Sequence, residues 1–262
     1  MTTITDLRGL KAEGRRFAML TAYDFPTARI LDEAGIPVLL VGDSVANVVL
    51  GHDTTLPVTM DEMLHHTRAV ARGVTDALVV GDMPFLSYQA SDEEAIRNAG
   101  RFLKEGGAHA VKLEGPLFDL IGTMAERGIP VMGHLGLTPQ SVHAMGGYRV
   151  QARTEEAADR LLADAQALEK SGVFSLVLEG VPAEVARRVT EALAVPTIGI
   201  GAGPHCDGQV LVLHDLLGLT FGKPAKFVKP YADLRSEITR AVTEFKDEVE
   251  GGAYPGPEHS YE

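Results

Sequence analysis

Short apolar runs and amphipathic stretches alternate about eight times along this chain of 262 residues, with no linker-like interruption. The runs fall at residues 17–21 (FAMLT), 37–41 (PVLLV), 77–80, 108–115 (AHAVKLEG), 130–133, 174–178 and 196–200. PVLLV is apolar without alternation, as a strand buried on both faces of a parallel sheet must be. Helical patterns occupy about 24–34, 60–73, 92–105, 117–127, 154–171, 182–193 and 231–248. Thr59 with Glu62 reads as a capping box and Ser91 as an N-cap. Regular alternation of this length predicts an α/β fold. We expect one (β/α)8 TIM barrel over 1–262, ending in a polar tail from about 251, with a doubly wound open sheet as the alternative. The eighth strand has two candidates, 217–221 and 226–228.

The stretch AHAVKLEG carries Lys112 and Glu114 two positions apart, so in a strand both point to the same face. Asp43, Asp82, His134 and Glu179 each sit at the C-terminal end of another strand. In a barrel those ends surround one mouth, where active sites form. Taken singly, each residue has a plainer role. An aspartate after a strand is often a helix cap, a glutamate there a surface partner of a base, and a histidine a hydrogen-bonded structural residue. Together, four carboxylates and a lysine call for a cation among them. Two aspartates and a glutamate are hard oxygen donors that suit Mg²⁺. No HExxH, zinc-type Cys/His spacing or GxxxxGK[ST] phosphate loop is present. GIGAG at 199–203 reads as a tight turn.

The net charge of −12 argues against nucleic acid as a partner, and an anionic substrate would need a local cation. The single cysteine, Cys206, excludes an intramolecular disulfide and suits a reducing compartment. No run approaches the roughly 20 apolar residues of a membrane span. The first 16 residues lack the apolar core of a signal peptide, so a cytoplasmic location is expected.

Longer motifs run nearly end to end: MLTAYD (19–24), VGDSV (41–45), GHDTTLPVT (51–59), GDMPF (81–85), VKLEG (111–115) and GHLGLTPQSV (133–142). GGYRVQ (146–151), LVLEGVP (176–182), IGIGAG (198–203), DGQVLV (207–212), KFVKPYA (226–232) and YPGPEHSY (254–261) complete them. In these the chain resembles the ketopantoate hydroxymethyltransferase family of pantothenate synthesis. The resemblance implies a barrel related to the isocitrate lyase and phosphoenolpyruvate mutase group, assembled as a homo-oligomer, commonly a decamer. It implies Asp43 and Asp82 as Mg²⁺ ligands, with Glu114 in the metal shell. Ser44 and Lys112 would contact the keto acid alongside the two aspartates, Glu179 would be the proton acceptor, and His134 would line the pocket. The implied substrates are 3-methyl-2-oxobutanoate and 5,10-methylenetetrahydrofolate, joined through a Mg-stabilised enolate. Two rival readings are a lyase or mutase on a related barrel and a non-catalytic sensor of keto acid or metal. Lyases and mutases of that group carry a cysteine on an active-site loop, and Cys206 sits in a different context.

Overall fold

Eight parallel strands pair in chain order and close into a barrel in the computed structural model, which describes residues 1–261. They are β1 (Phe17–Thr21), β2 (Val38–Val41), β3 (Leu78–Asp82), β4 (Ala110–Glu114), β5 (Val131–Gly136), β6 (Ser175–Glu179), β7 (Thr197–Ile200) and β8 (Gly208–Leu211). Closure is made by β1 against β8, with Phe17 opposite Gly208 and Leu20 opposite Leu211. That pairing replaces the open-sheet alternative with a (β/α)8 barrel. It also corrects the position of the eighth strand, which lies at Gly208–Leu211 and not at 217–221 or 226–228. A Cβ at position 208 would come within 2.8 Å of the Phe17 ring, so glycine is what lets the last strand close on the first. The residue that makes closure possible is also the one that weakens the strand pattern in the sequence.

The helices of the barrel are α1 (Ile4–Ala12), α2 (Phe25–Glu33), the short α3 (Val45–Val48), α4 (Met60–Gly73), α5 (Asp92–Arg101), α6 (Phe118–Glu126), α7 (Glu155–Ser171) and α8 (Ala183–Ala192). Their ends follow local chemistry. Thr59 and Glu62 form the expected capping box on α4, Ser91 accepts from Glu94 N–H to cap α5, and Gly172 ends α7 at φ +100. The first helix does not stand out in the apolar periodicity, although Thr3 and Asp6 cap it reciprocally.

Helix α1 matters to the core. Its Leu7 is fully buried with Phe17, Met19, Val38, Leu40, Leu78, Val80, Met132, Phe174, Ile198 and Val210, most of them strand residues. Lys11 ties the helix down by donating to Asp207 Oδ2 at 2.9 Å and to the Thr190 carbonyl at 2.8 Å. The barrel is thus filled by apolar side chains towards its N-terminal end, which leaves the opposite end for polar groups.

The chain divides into two compact units, Met1–Val212 and a second that begins at Leu213. The second contains α9 (Leu213–Leu216) and α10 (Leu234–Glu250). No residue of α10 is buried. Ile238, Val242, Phe245 and Val249, spaced four, three and four apart, are 50%, 61%, 54% and 46% exposed. They form one apolar stripe on an otherwise charged helix. No helix among the described residues is long and apolar enough to cross a membrane.

Candidate active site

The strand register assembles the polar cluster. Asp82 on β3 lies opposite Lys112 on β4, Glu114 on β4 opposite His134 on β5, and Gly136 on β5 opposite Glu179 on β6. Asp43 follows β2 directly, and its backbone N–H donates to Asp82 Oδ2 at 3.2 Å. Neighbouring parallel strands are about 4.8 Å apart, so residues in register meet through their side chains. Gly136 has φ +94, and a Cβ there would collide with the Glu179 carbonyl oxygen. Glycine at that point lets β5 pass close beside the end of β6.

The resulting contacts run unbroken across the mouth. Lys112 Nζ ion-pairs with Asp82 Oδ1 at 2.7 Å and lies 3.6 Å from Glu114 Oε1. His134 Nδ1 is 3.2 Å from Lys112 Nζ and 3.5 Å from Glu114 Oε1, while His134 Nε2 faces Glu179 Oε2 at 3.4 Å. Asp43, Asp82, Lys112, Glu114 and His134 are all buried, whereas the Glu179 side chain retains 17% of its exposure. Ser44 receives its own partner, the Tyr23 hydroxyl, at 2.8 Å. All seven side chains that the sequence singles out therefore lie at the C-terminal end of the barrel.

Burial and crowding set the charge states. Burial, followed by the charges of Asp82 and Glu114, raises the Asp43 pKa well above the ordinary aspartate value. Burial also raises Asp82, although Lys112 opposes it. Glu114 goes the other way: burial favours its neutral form, but Lys112 and His134 outweigh that and hold its pKa down. Lys112 would lose its proton more easily for being buried, yet Asp82, Glu114 and Asp43 push its pKa up. His134 is pressed down by burial and the lysine, and bonding to Glu114 and Glu179 reverses this, to about 9.

Three residues that the sequence reading passes over belong to the same pocket. Tyr23 holds Ser44, Tyr88 reaches the backbone N–H of Glu114 at 3.3 Å, and Gln140 donates to Asp43 Oδ2 at 3.0 Å. Tyr23 and Tyr88 sit in loops and Gln140 on a single turn within one, where no period marks which side chain turns inward.

The donor set is compatible with a divalent metal. Glu114 Oε1 is buried with ionic neighbours but no hydrogen bond, an oxygen left over in a cluster richer in carboxylates than in cations. Among the described residues no three His, Cys, Asp or Glu side chains converge to ligate one ion together. Two aspartates with a glutamate at one remove suit Mg²⁺, which is held by one or two carboxylates and fills its octahedron with water and substrate oxygens.

The closed parallel barrel is a fold shared with solved enzymes of the phosphoenolpyruvate mutase/isocitrate lyase superfamily. Phosphonopyruvate hydrolase, solved as a complex with oxalate and Mg²⁺, superposes with a TM-score of 0.63 at 14% identity, over 99% of this chain and 93% of that one. For 2,3-dimethylmalate lyase, a member of that superfamily, the TM-score is 0.61 at 17% identity, over 98% and 93%. Sequence narrows the class. The family model described as ketopantoate hydroxymethyltransferase matches residues 1–257, and the chain belongs to that family of enzymes. It is 57% identical to the 3-methyl-2-oxobutanoate hydroxymethyltransferase of Syntrophotalea carbinolica, over 99% of this chain and 98% of that protein. With the Saccharopolyspora erythraea enzyme of the same name the identity is 59%, over 97% and 87%.

Proposed function

We propose that this pocket transfers a hydroxymethyl group from 5,10-methylenetetrahydrofolate to 3-methyl-2-oxobutanoate, giving 2-dehydropantoate and tetrahydrofolate in pantothenate biosynthesis. The observation that carries the reading is the division of labour among the charges. Lys112 is buried among Asp82 and Glu114, while Glu179 stays outside that ion-pair set and retains solvent exposure. The first group suits an anionic keto acid beside a cation, and the second leaves a carboxylate, held by His134, to act as a base. Membership of the family and the names of the relatives support the substrate assignment.

Asp43 and Asp82, supported by Glu114, would hold a divalent cation, which would supply Lewis acidity to the keto acid. Ser44, oriented by Tyr23, and Lys112 bind the keto acid, the lysine offsetting negative charge in an acidic protein. Glu179 removes the C3 proton, and His134 behind it holds the carboxylate in place. The carbon so exposed bonds to the methylene carbon of the folate as that carbon's two bonds to nitrogen break; water supplies the hydroxyl, and its remaining proton and the one taken by Glu179 pass to the two nitrogens, giving tetrahydrofolate. The exposed stripe on α10 supports assembly as a homo-oligomer, a decamer by analogy with the family, acting in the cytoplasm.

The test is proton exchange. In D₂O with Mg²⁺ and 3-methyl-2-oxobutanoate but no folate, the C3 proton should exchange, read by NMR, and a chelator should stop it. A wild-type protein that shows no metal-dependent exchange would remove the enolisation step. Formation of 2-dehydropantoate only when the folate is added separates this activity from a lyase or mutase.

A further inference from the structure

The loop after β5 sends one side chain back into the pocket and there joins three other strand ends. Gln140 is buried on the single turn Pro139–Ser141. Its Nε2 donates to Asp43 Oδ2, beyond β2, at 3.0 Å and to the carbonyl of Met83, beyond β3, at 2.9 Å. Its backbone N–H donates to Glu114 Oε2, on β4, at 3.1 Å. Its Oε1 accepts from the Tyr88 hydroxyl at 2.6 Å and from Gln89 Nε2 at 3.4 Å. The Tyr88 oxygen in turn accepts from Glu114 N–H at 3.3 Å.

These partners fix the amide without ambiguity. The Met83 carbonyl can only accept, so the nitrogen must face it, and the Tyr88 hydroxyl, whose oxygen accepts from Glu114 N–H, turns its proton to the amide oxygen. Both N–H groups and both lone pairs are used, so any rotation of the side chain would leave several buried groups unpaired. A neutral amide here does what a second lysine could not. Its side chain gives hydrogen bonds to the Asp43 carboxyl and the Met83 carbonyl while its backbone N–H holds Glu114, without adding a charge that competes with a cation for the same oxygens.

We propose that Gln140 is a positioning residue that presets the Asp43 and Glu114 carboxylates for a divalent cation, with the Tyr88 hydroxyl clamping the amide in the productive orientation. The inference rests on the metal reading given above. It goes beyond it in assigning the pocket's affinity for the ion partly to a residue that does not touch it, and to a loop outside the strands that carry the ligands.

The experiment measures Mn²⁺ binding to the full chain without substrate, from the electron paramagnetic resonance signal of the free ion. Gln140→Met, close in shape but unable to donate, should weaken Mn²⁺ binding by roughly 10–100-fold, the usual cost of losing a partner behind a metal ligand. Tyr88→Phe should shift affinity in the same direction by a smaller factor. Thr190→Val serves as the stability control. It removes a buried hydroxyl on α8 that bonds to Ala186 and Thr197, and it should lower the melting temperature while leaving Mn²⁺ affinity unchanged. Wild-type affinity in folded Gln140→Met overturns the proposal. Should that variant fail to fold, wild-type affinity in Tyr88→Phe overturns it instead. A wild-type chain that binds no Mn²⁺ at all refutes the metal reading, an outcome distinct from a site that binds the ion equally well with and without Gln140.

Discussion

Glu179 differs from the other acids of the pocket in what holds it. Asp82 is paired with a lysine, Asp43 with an amide and Glu114 with a backbone N–H, whereas Glu179 has only the Nε2 edge of His134, at 3.4 Å. A group assigned to move a proton has to be free of such commitments. Glu179→Gln keeps the shape and the contact while removing the basicity. It should abolish C3 proton exchange in D₂O and leave keto-acid binding, measured by calorimetry, within a small factor of wild type; undiminished exchange would take Glu179 out of its role. The residues legible in the sequence are those at strand ends. An apolar run that stops at Gly or Pro locates Asp43, Asp82, Lys112, Glu114, His134 and Glu179 by local pattern alone. Gln140, Tyr88 and Tyr23 are not legible in that way, because the path of a loop is decided by what it packs on.

At the scale of elements, the connection from α2 to β3 shows how one side chain can hold a strand's entry. Asp32, near the end of α2, accepts from the backbone N–H groups of Thr75 at 2.8 Å, Asp76 at 3.0 Å and Ala77 at 2.7 Å. Burial works against the charged carboxylate, but these three donors outweigh it and hold the pKa below its usual 3.8. A depressed carboxyl pKa stabilises the fold above the unfolded-state value, and that contribution is lost as pH falls through the folded one. Asp32→Asn should therefore destabilise the barrel by about 1–2 kcal/mol near neutral pH in urea melts, the scale of hydrogen bonds to a charged group. The gap from wild type should close as pH drops below 3.8. A gap that stays constant with pH would mean the carboxylate charge is not what matters. The strands from β1 to β7 and the helices α2 and α4 to α8 follow from apolar periodicity and caps, whereas no helical pattern marks the short α3. The eighth strand and α1 escape it, since Gly208 and Gln209 weaken the one and the other has its single buried residue at Leu7.

For the molecule as a whole, the unburied stripe on α10 is the feature that a lone chain leaves unexplained. Four large apolar side chains in solvent on one helix would be covered in the proposed assembly, with a second copy of the chain as the partner. Phe245→Asp and Val242→Asp should reduce the mass measured by light scattering after gel filtration. Arg240→Ala, on the charged face that pairs with Glu237 and Glu244, should not. Unchanged mass in both aspartate variants would show that the stripe serves another end.

The stopper that Leu7 and its neighbours form at the N-terminal end also governs traffic. With apolar side chains filling the barrel below the polar cluster and α1 tied down by Lys11, reactants of the proposed transfer would come and go by the C-terminal end. Of the two reactants proposed, the one seated among Asp82, Lys112 and Glu114 would then arrive first, and its product would leave last. On that proposal, the order of events in each turnover would be set by the end of the barrel where no chemistry takes place.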